Sequence, residues 1–467
     1  MTKLLFTINS LIRPILWGWP VLLLILLTGV YYTVLLRGLQ IRKIGLWMRC
    51  TVGTLFRRNN RDGSGITPFQ SVTTALAGSI GTGNIVGVAT AITLGGPGAV
   101  FWMWISALFG MVTIYGETVL GLLYREKDKN GKWLGGVMVT LERSLDKKGL
   151  ACLFAAACVL AALGMGNMTQ ANAIAAAMEE SFGIPKLWSG MILFGILAVV
   201  LTGGIRRIAA VTERVVPIMS VLYLLAGMIV LMVFWRNVLP SFLLIFKEAF
   251  RFSSAWGGVG GYGIAKAMES GLSRGIFTNE AGLGSSVMAH AAAETDEPCE
   301  QGFWSVFQVF LDTIVVCSMT ALCILASGVC RTGLDAGALS SAAFEAVFGV
   351  FGRHLMTLCV LFFAFATMLG WSYYGECCIW YLCMQFRFFL RHDAFAVTAY
   401  RLCYAAAAVA GSTMDLYLLW DLCGCCNGLM ALPNLYGLFR LAPEVKAETN
   451  RYFRKIDTKK TAGLPGG

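Results

Sequence analysis

A chain of 467 residues in which 57% are hydrophobic and only 13% are charged is too apolar for a water-soluble globule. The formal net charge of +11 does not indicate nucleic-acid binding, because the basic residues occupy short loops between apolar runs. Several runs exceed the roughly 20 residues needed to cross a hydrocarbon core of about 30 Å, so the composition predicts an integral membrane protein.

Eleven hydrophobic segments are predicted to span the membrane as helices. They cover residues 15–36, 68–94, 97–123, 150–178, 187–204, 211–235, 255–290, 301–328, 353–385, 396–412 and 415–441. The first segment is longer than the apolar core of a signal peptide and lacks a small-residue cleavage site. It is therefore predicted to remain as an extra N-terminal helix ahead of two groups of five.

Lysine and arginine concentrate in every second loop. The basic stretches are 37–67, 124–149, 206–214, 387–391 and the tail 442–467. The positive-inside rule places them in the cytoplasm and the N-terminus outside, as expected for a cell (inner) membrane protein. The acidic loop 290–301 lies outside this pattern, but acidic residues count little in the rule.

Glycines interrupt the middle of segment 68–94. The polar and glycine residues there are Gly78, Ser79, Gly81, Thr82, Gly83, Asn84 and Gly87. Each glycine costs a helix roughly 1 kcal/mol relative to alanine, and backbone groups freed in lipid need partners inside the protein. Such a break is tolerated mainly where the backbone lines a binding cavity. Close helix packing is the alternative, and it leaves Asn84 unexplained.

Segment 255–290 is also rich in glycine and is predicted to be broken. The two broken helices each open a group of five spans, 68–235 and 255–441. Because five is odd, the two groups must lie in opposite orientations. This pattern is typical of secondary transporters built from an inverted repeat, whose binding site lies at mid-membrane.

Six motifs, spread from about residue 65 to residue 440, resemble those of the alanine or glycine:cation symporter family. They are 81–89 (GTGNIVGVA), 95–104 (GGPGAVFWMW), 166–172 (GNMTQAN), 279–285 (NEAGLGS), 370–376 (GWSYYGE) and 427–434 (NGLMALPN). The resemblance implies an all-α fold of the leucine-transporter type with eleven transmembrane helices. Ten of them form a 5+5 inverted repeat, and the eleventh is the extra N-terminal helix. It also implies import of alanine or glycine coupled to Na⁺, with H⁺ in some relatives.

A zwitterionic amino acid requires N–H donors for its carboxylate, acceptors for its ammonium group and a small apolar pocket. Unwound backbone at Thr82, Gly83 and Asn84 presents N–H groups and a half-helix N-terminus to a carboxylate. Asn84 either contacts the substrate or stabilises the break, and the sequence leaves both open. The resemblance implies that Gln170 contacts the substrate, with a hydrogen bond between helices as the alternative.

Three further residues are assigned to the walls of the substrate pocket. Trp371 is expected to close one wall and limit the pocket to small side chains, although a tryptophan in a membrane also serves for packing or as an interfacial anchor. Ile276 and Phe277, from the second broken helix, are assigned to the opposite wall.

The coupling cation needs oxygen ligands. Carbonyl groups near Ala77 and Gly78 and the hydroxyl of Thr367 are the candidates, and no other cofactor is expected. The resemblance implies a sodium site between the first broken helix and helix 353–385, where relatives usually carry two adjacent hydroxyl residues. This chain has Ala366 before Thr367, so only one hydroxyl is available.

Several acidic residues lie inside predicted spans. Glu117 lacks the lysine that is usual in the family, which raises the question of a proton relay. The favoured interpretation is that Glu117 reaches the cytoplasmic interface near Tyr124 and Arg125. Asp312 and Asp421 are either paired structural acids or functional ones, and Glu280 is assigned to an inner gate.

Other classes of function find less support. An enzyme needs a nucleophile and base, or a set of metal ligands, at one membrane depth, and three scattered histidines do not supply it. A channel would need a filter-like repeat, and an ATP-driven pump would need a nucleotide-binding loop. The sequence contains neither.

Overall fold

The computed structural model describes residues 14–54, 66–127, 131, 133–250, 260–385, 393–414 and 416–461. For residues 260–262, 331, 393, 416–422 and 459–461 it describes the backbone alone. Within these ranges the protein is a bundle of helices with one two-stranded hairpin. The prediction of a helical membrane protein is confirmed at this level.

The N-terminal span and the first group of helices follow one another as the hydropathy pattern predicts. They are α1 (Trp19–Leu35), α2 (Leu39–Arg42), α3 (Ile44–Cys50), α4 (Pro68–Ser79), α5 (Val88–Gly95), α6 (Ala99–Leu123), β1 (Glu126–Lys127), β2 (Trp133–Leu134), α7 (Val137–Leu145), α8 (Lys148–Leu163), α9 (Thr169–Phe182), α10 (Lys186–Leu201), α11 (Gly204–Val233) and α12 (Trp235–Ala249). Short 3₁₀ and π turns occupy Val52–Thr54, Gly83–Gly87 and Gly164–Met168. The two strands pair antiparallel, with Glu126 opposite Leu134.

The second group repeats the long helices with different breaks. Its helices are α13 (Gly260–Asn279), α14 (Val287–Ala291), α15 (Pro298–Val309), α16 (Ser318–Ser327), α17 (Ala336–Phe348), α18 (Val350–Gln385), α19 (Asp393–Thr413) and α20 (Leu416–Thr461). A π turn, Phe310–Cys317, joins α15 to α16, and a 3₁₀ turn covers Val329–Arg331. Helix α20 continues without interruption from the last predicted span into the basic tail.

Seven of the described helical stretches are long and apolar enough to cross a membrane. If the pair α4 and α5, which is bent by 50°, counts as one span, the number of candidate spans rises to eight. The predicted break in segment 68–94 is thus confirmed. Predicted span 187–204 corresponds to α10, which is apolar but has 16 residues. Spans 255–290 and 415–441 include residues outside the described ranges, so the total of eleven remains a prediction.

Local sequence explains where α4 begins and ends. Thr67 accepts a hydrogen bond from the backbone N–H of Gln70, whose side chain accepts one in return from the N–H of Thr67. This reciprocal cap, followed by Pro68, is a strong helix start. The helix ends at Ile80, which adopts an extended conformation with ψ of 93°. The break therefore lies where the glycines predicted it.

Helix α18 approaches α4 closely at two glycines. A side-chain carbon built on Gly370 would lie 2.6 Å from the backbone nitrogen of Gly78. The close-packing explanation of the glycines is therefore correct for this pair, in addition to the break. The contact places the middle of α18 directly against the end of α4, where the candidate site lies.

Candidate functional site

Asn84 stabilises the first break from several sides. Its Oδ1 accepts the backbone N–H of Gly81 at 2.9 Å. Its Nδ2 donates to Oδ1 of Asp312 at 2.6 Å and to the Asp312 carbonyl at 3.2 Å. Its own carbonyl accepts the hydroxyl of Thr320 at 2.7 Å. Of the two roles left open by the sequence, stabilising the break is the one that this geometry carries out.

Gln170 connects α9 to the same break. Its Oε1 accepts from the backbone N–H of Thr82 at 3.3 Å and from the Thr82 hydroxyl at 2.9 Å. Its Nε2 donates to the carbonyl of Met165, inside the π turn that precedes α9. Gln170 thus makes the hydrogen bond between helices, and it does so at the N–H group that a substrate carboxylate would use.

These two amides release two backbone carbonyls of α4. In a continuous helix the N–H groups of Gly81 and Thr82 would donate to the carbonyls four residues earlier, those of Ala77 and Gly78. Here they donate to Asn84 Oδ1 and Gln170 Oε1 instead. The carbonyls of Ala77 and Gly78 therefore lose their partners within the helix, and carbonyl oxygens in this condition are suitable ligands for a hard cation.

Thr367 supplies a hydroxyl at the same break. Its Oγ1 donates to the carbonyl of Phe363 at 3.1 Å and lies 3.4 Å from the carbonyl of Ile80. It also occupies the space that a side chain on Gly81 would need. The sequence analysis missed the Ile80 carbonyl, although its position at the end of α4 was the available signal.

Trp371 lies one turn further along α18 and packs on Gly166 of the π turn before α9. A side chain on Gly166 would overlap the Trp371 ring, so glycine is required there. The Trp371 and Tyr374 rings meet edge to face at 5.5 Å, and a side-chain carbon on Gly78 would lie 2.5 Å from the Tyr374 hydroxyl. The two aromatic residues therefore flank the first break. Tyr374, unassigned before, lies in the same motif as Trp371.

Helix α13 approaches the break from the opposite side. A side-chain carbon on Gly83 would lie 2.8 Å from the methyl group of Thr278 and 3.7 Å from the ring of Phe277. Ile276 is buried, and its carbonyl accepts the backbone N–H of Glu280. The structure thus brings Phe277 to Gly83. For Ile276 it gives only a position on the same helix.

Glu117 lies in the protein interior, and its predicted place at the cytoplasmic interface near Tyr124 and Arg125 was wrong. Its side chain is 3% exposed. Its Oε1 accepts the backbone N–H of Gly282 at 2.9 Å and the amide of Asn434 at 2.6 Å. The physical reason is the second break, because an unwound turn between α13 and α14 leaves N–H groups that need a buried acceptor.

Glu280 begins this second break with a left-handed backbone at φ of 60°. Its Oε2 accepts the hydroxyl of Ser285 at 2.6 Å. The carboxyl group lies within interaction distance of Trp371 and Tyr374, although Oε1, the indole N–H and the phenol group form no well-aligned hydrogen bond among the described residues. A wholly buried carboxylate therefore lies beside the aromatic wall of the site.

Asp312 completes a set of three buried acids. Its Oδ2 accepts the hydroxyl of Thr313 at 2.7 Å, in the π turn between α15 and α16. Within the described part of the chain, neither Asp312, Glu117 nor Glu280 forms a salt bridge with a basic side chain. Asp421, the other acid singled out in the sequence, has a side chain outside the described residues.

A buried polar network connects α4 with α14 and α15. Gln301 donates to Ser71 Oγ at 3.0 Å and to Nδ1 of His290 at 2.8 Å, and Nε2 of His290 contacts Gln308 Oε1 at 2.9 Å. Ser71 in turn donates to the carbonyl of Ala289. The sequence analysis treated His290 as isolated. Its partners lie on other helices, so no local pattern indicated this role.

The chain matches the family model described as "Sodium:alanine symporter family" over residues 2–464. It is 40% identical to the sodium/alanine symporter AgcS of Methanococcus maripaludis, over 98% of this chain and 99% of that protein. It is 41% identical to an uncharacterized transporter of Haemophilus influenzae, over 96% of each chain.

Other relatives carry different names. A putative sodium/proton-dependent alanine carrier of Bacillus subtilis is 34% identical, over 95% of this chain and 92% of its own. Among solved structures, that of MhsT in complex with L-phenylalanine superposes with a TM-score of 0.54 at 13% identity, over 78% of this chain and 87% of MhsT. At this identity the likeness demonstrates a shared fold alone.

Proposed function

The chain belongs to the sodium:alanine symporter family, and on that premise we propose that it imports a small neutral amino acid together with Na⁺ by alternating access. Alanine or glycine is the proposed substrate. The observation that carries the proposal is a group of oxygens at the first break: the carbonyls of Ala77 and Gly78, released from their helical hydrogen bonds, and the Thr367 hydroxyl, 3.4 Å from the Ile80 carbonyl. Carbonyl and hydroxyl oxygens at a helix break are the ligands that Na⁺ requires in such transporters.

The substrate is proposed to bind on the other side of the same break. Its carboxylate would take the N–H groups at Thr82 to Asn84, displacing the Gln170 amide from Thr82. Its side chain would lie between Trp371 and Phe277. Because Thr278 and Phe277 approach Gly83 closely, small side chains such as those of alanine and glycine fit this proposal best.

The finer architecture belongs to the same proposal. It consists of eleven membrane helices, with an inverted repeat of five and five behind the N-terminal helix, in a cell (inner) membrane. The N-terminus would lie outside and the C-terminal end of α20 in the cytoplasm, following the positive-inside rule. The bilayer, the amino acid and the ion are then the partners. Neither an enzymatic activity nor a bound organic cofactor is part of the proposal.

Proton coupling is the second candidate, and a specific observation favours it. Glu117, Glu280 and Asp312 are buried without a basic partner in the described residues. A carboxylate inside a membrane protein needs a proton or a cation beside it, because an uncompensated buried charge costs several kcal/mol. The single hydroxyl at Thr367 also leaves the proposed sodium site with one ligand fewer than is usual in the family.

Uptake into proteoliposomes tests both candidates. Labelled alanine and glycine would be offered under an inward Na⁺ gradient at equal pH, and separately under an inward H⁺ gradient without Na⁺. Accumulation that requires Na⁺ supports the first proposal, and accumulation that follows H⁺ alone supports the second. Counterflow of labelled alanine distinguishes a carrier from a channel. No uptake of either amino acid under either gradient would contradict the substrate assignment.

A further inference from the structure

The segment that follows α1 and the C-terminal part of α20 enclose a cleft with an excess of positive charge. Two adjoining cavities make up this basic cleft, and they share Lys43 and Phe453. The basic residues that line it are Arg37, Arg42, Lys43, Arg49 and Lys446, with Asp457 as the acidic one. Among the described residues none of these five cations is paired with a carboxylate. Their mutual repulsion calls for an anion.

The floor of the basic cleft is apolar and continuous with the membrane. Its hydrophobic lining comprises Leu35, Leu36, Leu39, Leu46, Phe453 and Ile456. Leu35 is the last residue of α1, which is itself a candidate membrane span. The Lys43 ammonium group lies 4.9 Å above the Phe453 ring, at the boundary between the charged and the apolar parts. The occupant must therefore have both an anionic and a hydrocarbon part.

Asn450 adds an amide to the lining of the larger cavity. A phosphodiester with a hydroxylated headgroup needs several cations and neutral hydrogen-bonding groups close together, and acyl chains need an apolar surface open to the bilayer. We propose that the basic cleft is a binding site for an anionic phospholipid, in the leaflet on the side of the basic loops. Basic pockets beside membrane helices are the usual recognition sites for such headgroups.

The proposed lipid site lies close to the contacts that α20 makes with the start of α15. Arg451 and Lys455, one turn from the cleft on α20, pair with Glu297 in the segment between α14 and α15. Tyr452 lies 3.4 Å from Glu300 in α15. A bound anion that holds α20 against α2 and α3 therefore also stabilises the ion pairs that α20 makes with this segment.

The test uses the full-length protein, delipidated in neutral detergent, and native mass spectrometry with added lipid. Phosphatidylglycerol and phosphatidylcholine would be titrated separately, and glycerol 3-phosphate would serve as a headgroup without acyl chains. We expect retention of phosphatidylglycerol at least tenfold stronger than that of phosphatidylcholine, and little competition from millimolar glycerol phosphate. Equal binding of the two lipids would overturn the proposal, and efficient displacement by glycerol phosphate would assign the cleft to a soluble anion.

The variant Lys43→Gln/Lys446→Gln locates the site. Each cation near an anionic lipid contributes about fivefold in affinity, so the double variant should lose about 25-fold in phosphatidylglycerol binding. The matched control is Lys147→Gln/Lys148→Gln, on the same side but next to Asp146 and Glu142. It should retain wild-type binding. Equal losses in both double variants, or none in either, would refute the assignment.

A substitution of Lys43 that disturbs membrane insertion would also reduce lipid binding, because Lys43 lies near the first span. Lys446→Gln alone avoids this, since Lys446 lies on α20 beyond the predicted span 415–441 and far from the first span in the sequence. It should lose about fivefold in phosphatidylglycerol binding with an unchanged gel-filtration profile, and Lys446→Arg should restore the wild-type value. Failure of arginine to restore binding would rule out a role for charge at this position.

Discussion

The two helix breaks of the protein are stabilised by different chemistry. At the first break, the N–H groups of Gly81 and Thr82 bond to neutral amides, those of Asn84 and Gln170. Neutral acceptors satisfy the backbone without adding charge. The backbone N–H groups of the first break are therefore satisfied without a carboxylate, and the carboxyl of Asp312 is connected to this break through Asn84.

At the second break, carboxylates take the same role. Glu117 accepts the N–H of Gly282, and Glu280 accepts the hydroxyl of Ser285. Three residues here have a left-handed backbone, namely Glu280, Gly282 and Gly284. This break therefore brings ionisable carboxyl groups into the core, and Glu280 lies close to Trp371.

The two breaks are therefore expected to have different roles. On the proposed function, the first break provides oxygen ligands, and the second provides carboxyl groups that stabilise a cation in a medium of low dielectric constant when they are ionised. Substitutions at the first break should therefore change ligand binding and stability together. Substitutions at the second should separate charge from structure, because an amide can replace a carboxylate as an acceptor.

The largest effect is expected for Asn84→Ala. It leaves the N–H of Gly81 and Oδ1 of Asp312 without their hydrogen-bond partner in the interior, at a cost of about 2–5 kcal/mol. Uptake of labelled alanine should fall more than a hundredfold, and the melting temperature in detergent should fall as well. Asn172→Ala is the control. Asn172 is also a buried amide, but it donates to Gly411 and Met414 on the far side of α9. It should lose stability and keep ion-coupled uptake.

A smaller effect, confined to transport, is expected for Glu280→Gln. Glutamine keeps the acceptor for Ser285 but removes the negative charge beside Trp371. Accumulation should fall about thirtyfold because a coupled cation or proton loses its counter-charge, while the melting temperature changes little. Measuring uptake and thermal stability on the same preparation checks this. Wild-type accumulation in this variant would show that the charge of the second break has no part in coupling.

The proposed sodium site at the first break predicts a graded response to substitutions in α18. Thr367→Ala removes a hydroxyl ligand, and a bond to a charged group is worth about 1.5–3 kcal/mol. The Na⁺ concentration for half-maximal uptake should therefore rise at least tenfold, with Thr367→Ser close to wild type. Ala366→Ser, which adds the second hydroxyl, should lower it severalfold. Identical Na⁺ dependence in all three variants would remove the sodium site from this position.

Much of the first break was predictable from the sequence because its signals are local. The glycines, Asn84 and the cap at Thr67 lie close together in the chain, and the hydropathy pattern places the glycines and Asn84 inside a membrane span. The role of Glu117 was not predictable, since its partners Gly282 and Asn434 are 165 and 317 residues away in the chain. A buried acid looks the same in sequence whether it faces a loop or a distant helix break.

The π turns illustrate the same limit. Gly164–Met168 and Phe310–Cys317 widen two helices where Gln170 and Asp312 reach the first break. The residue pattern of both segments is compatible with a regular helix. Only the packing of the neighbouring helices, which is non-local, determines that these turns widen.

The smallest effect is expected for Glu117→Gln. This variant compares the two acids of the second break, Glu117 and Glu280. The glutamine oxygen can still accept from Gly282 and from the Asn434 amide, so the turn keeps its hydrogen bonds. If Glu117 has a structural role only, uptake should change less than threefold and its ion dependence should be that of the wild type. Initial rates at several pH values under a fixed Na⁺ gradient measure this, with Glu280→Gln in parallel. A loss of uptake as large as that of Glu280→Gln would instead indicate that both acids take part in ion coupling. The second break would then contribute charge at two residues.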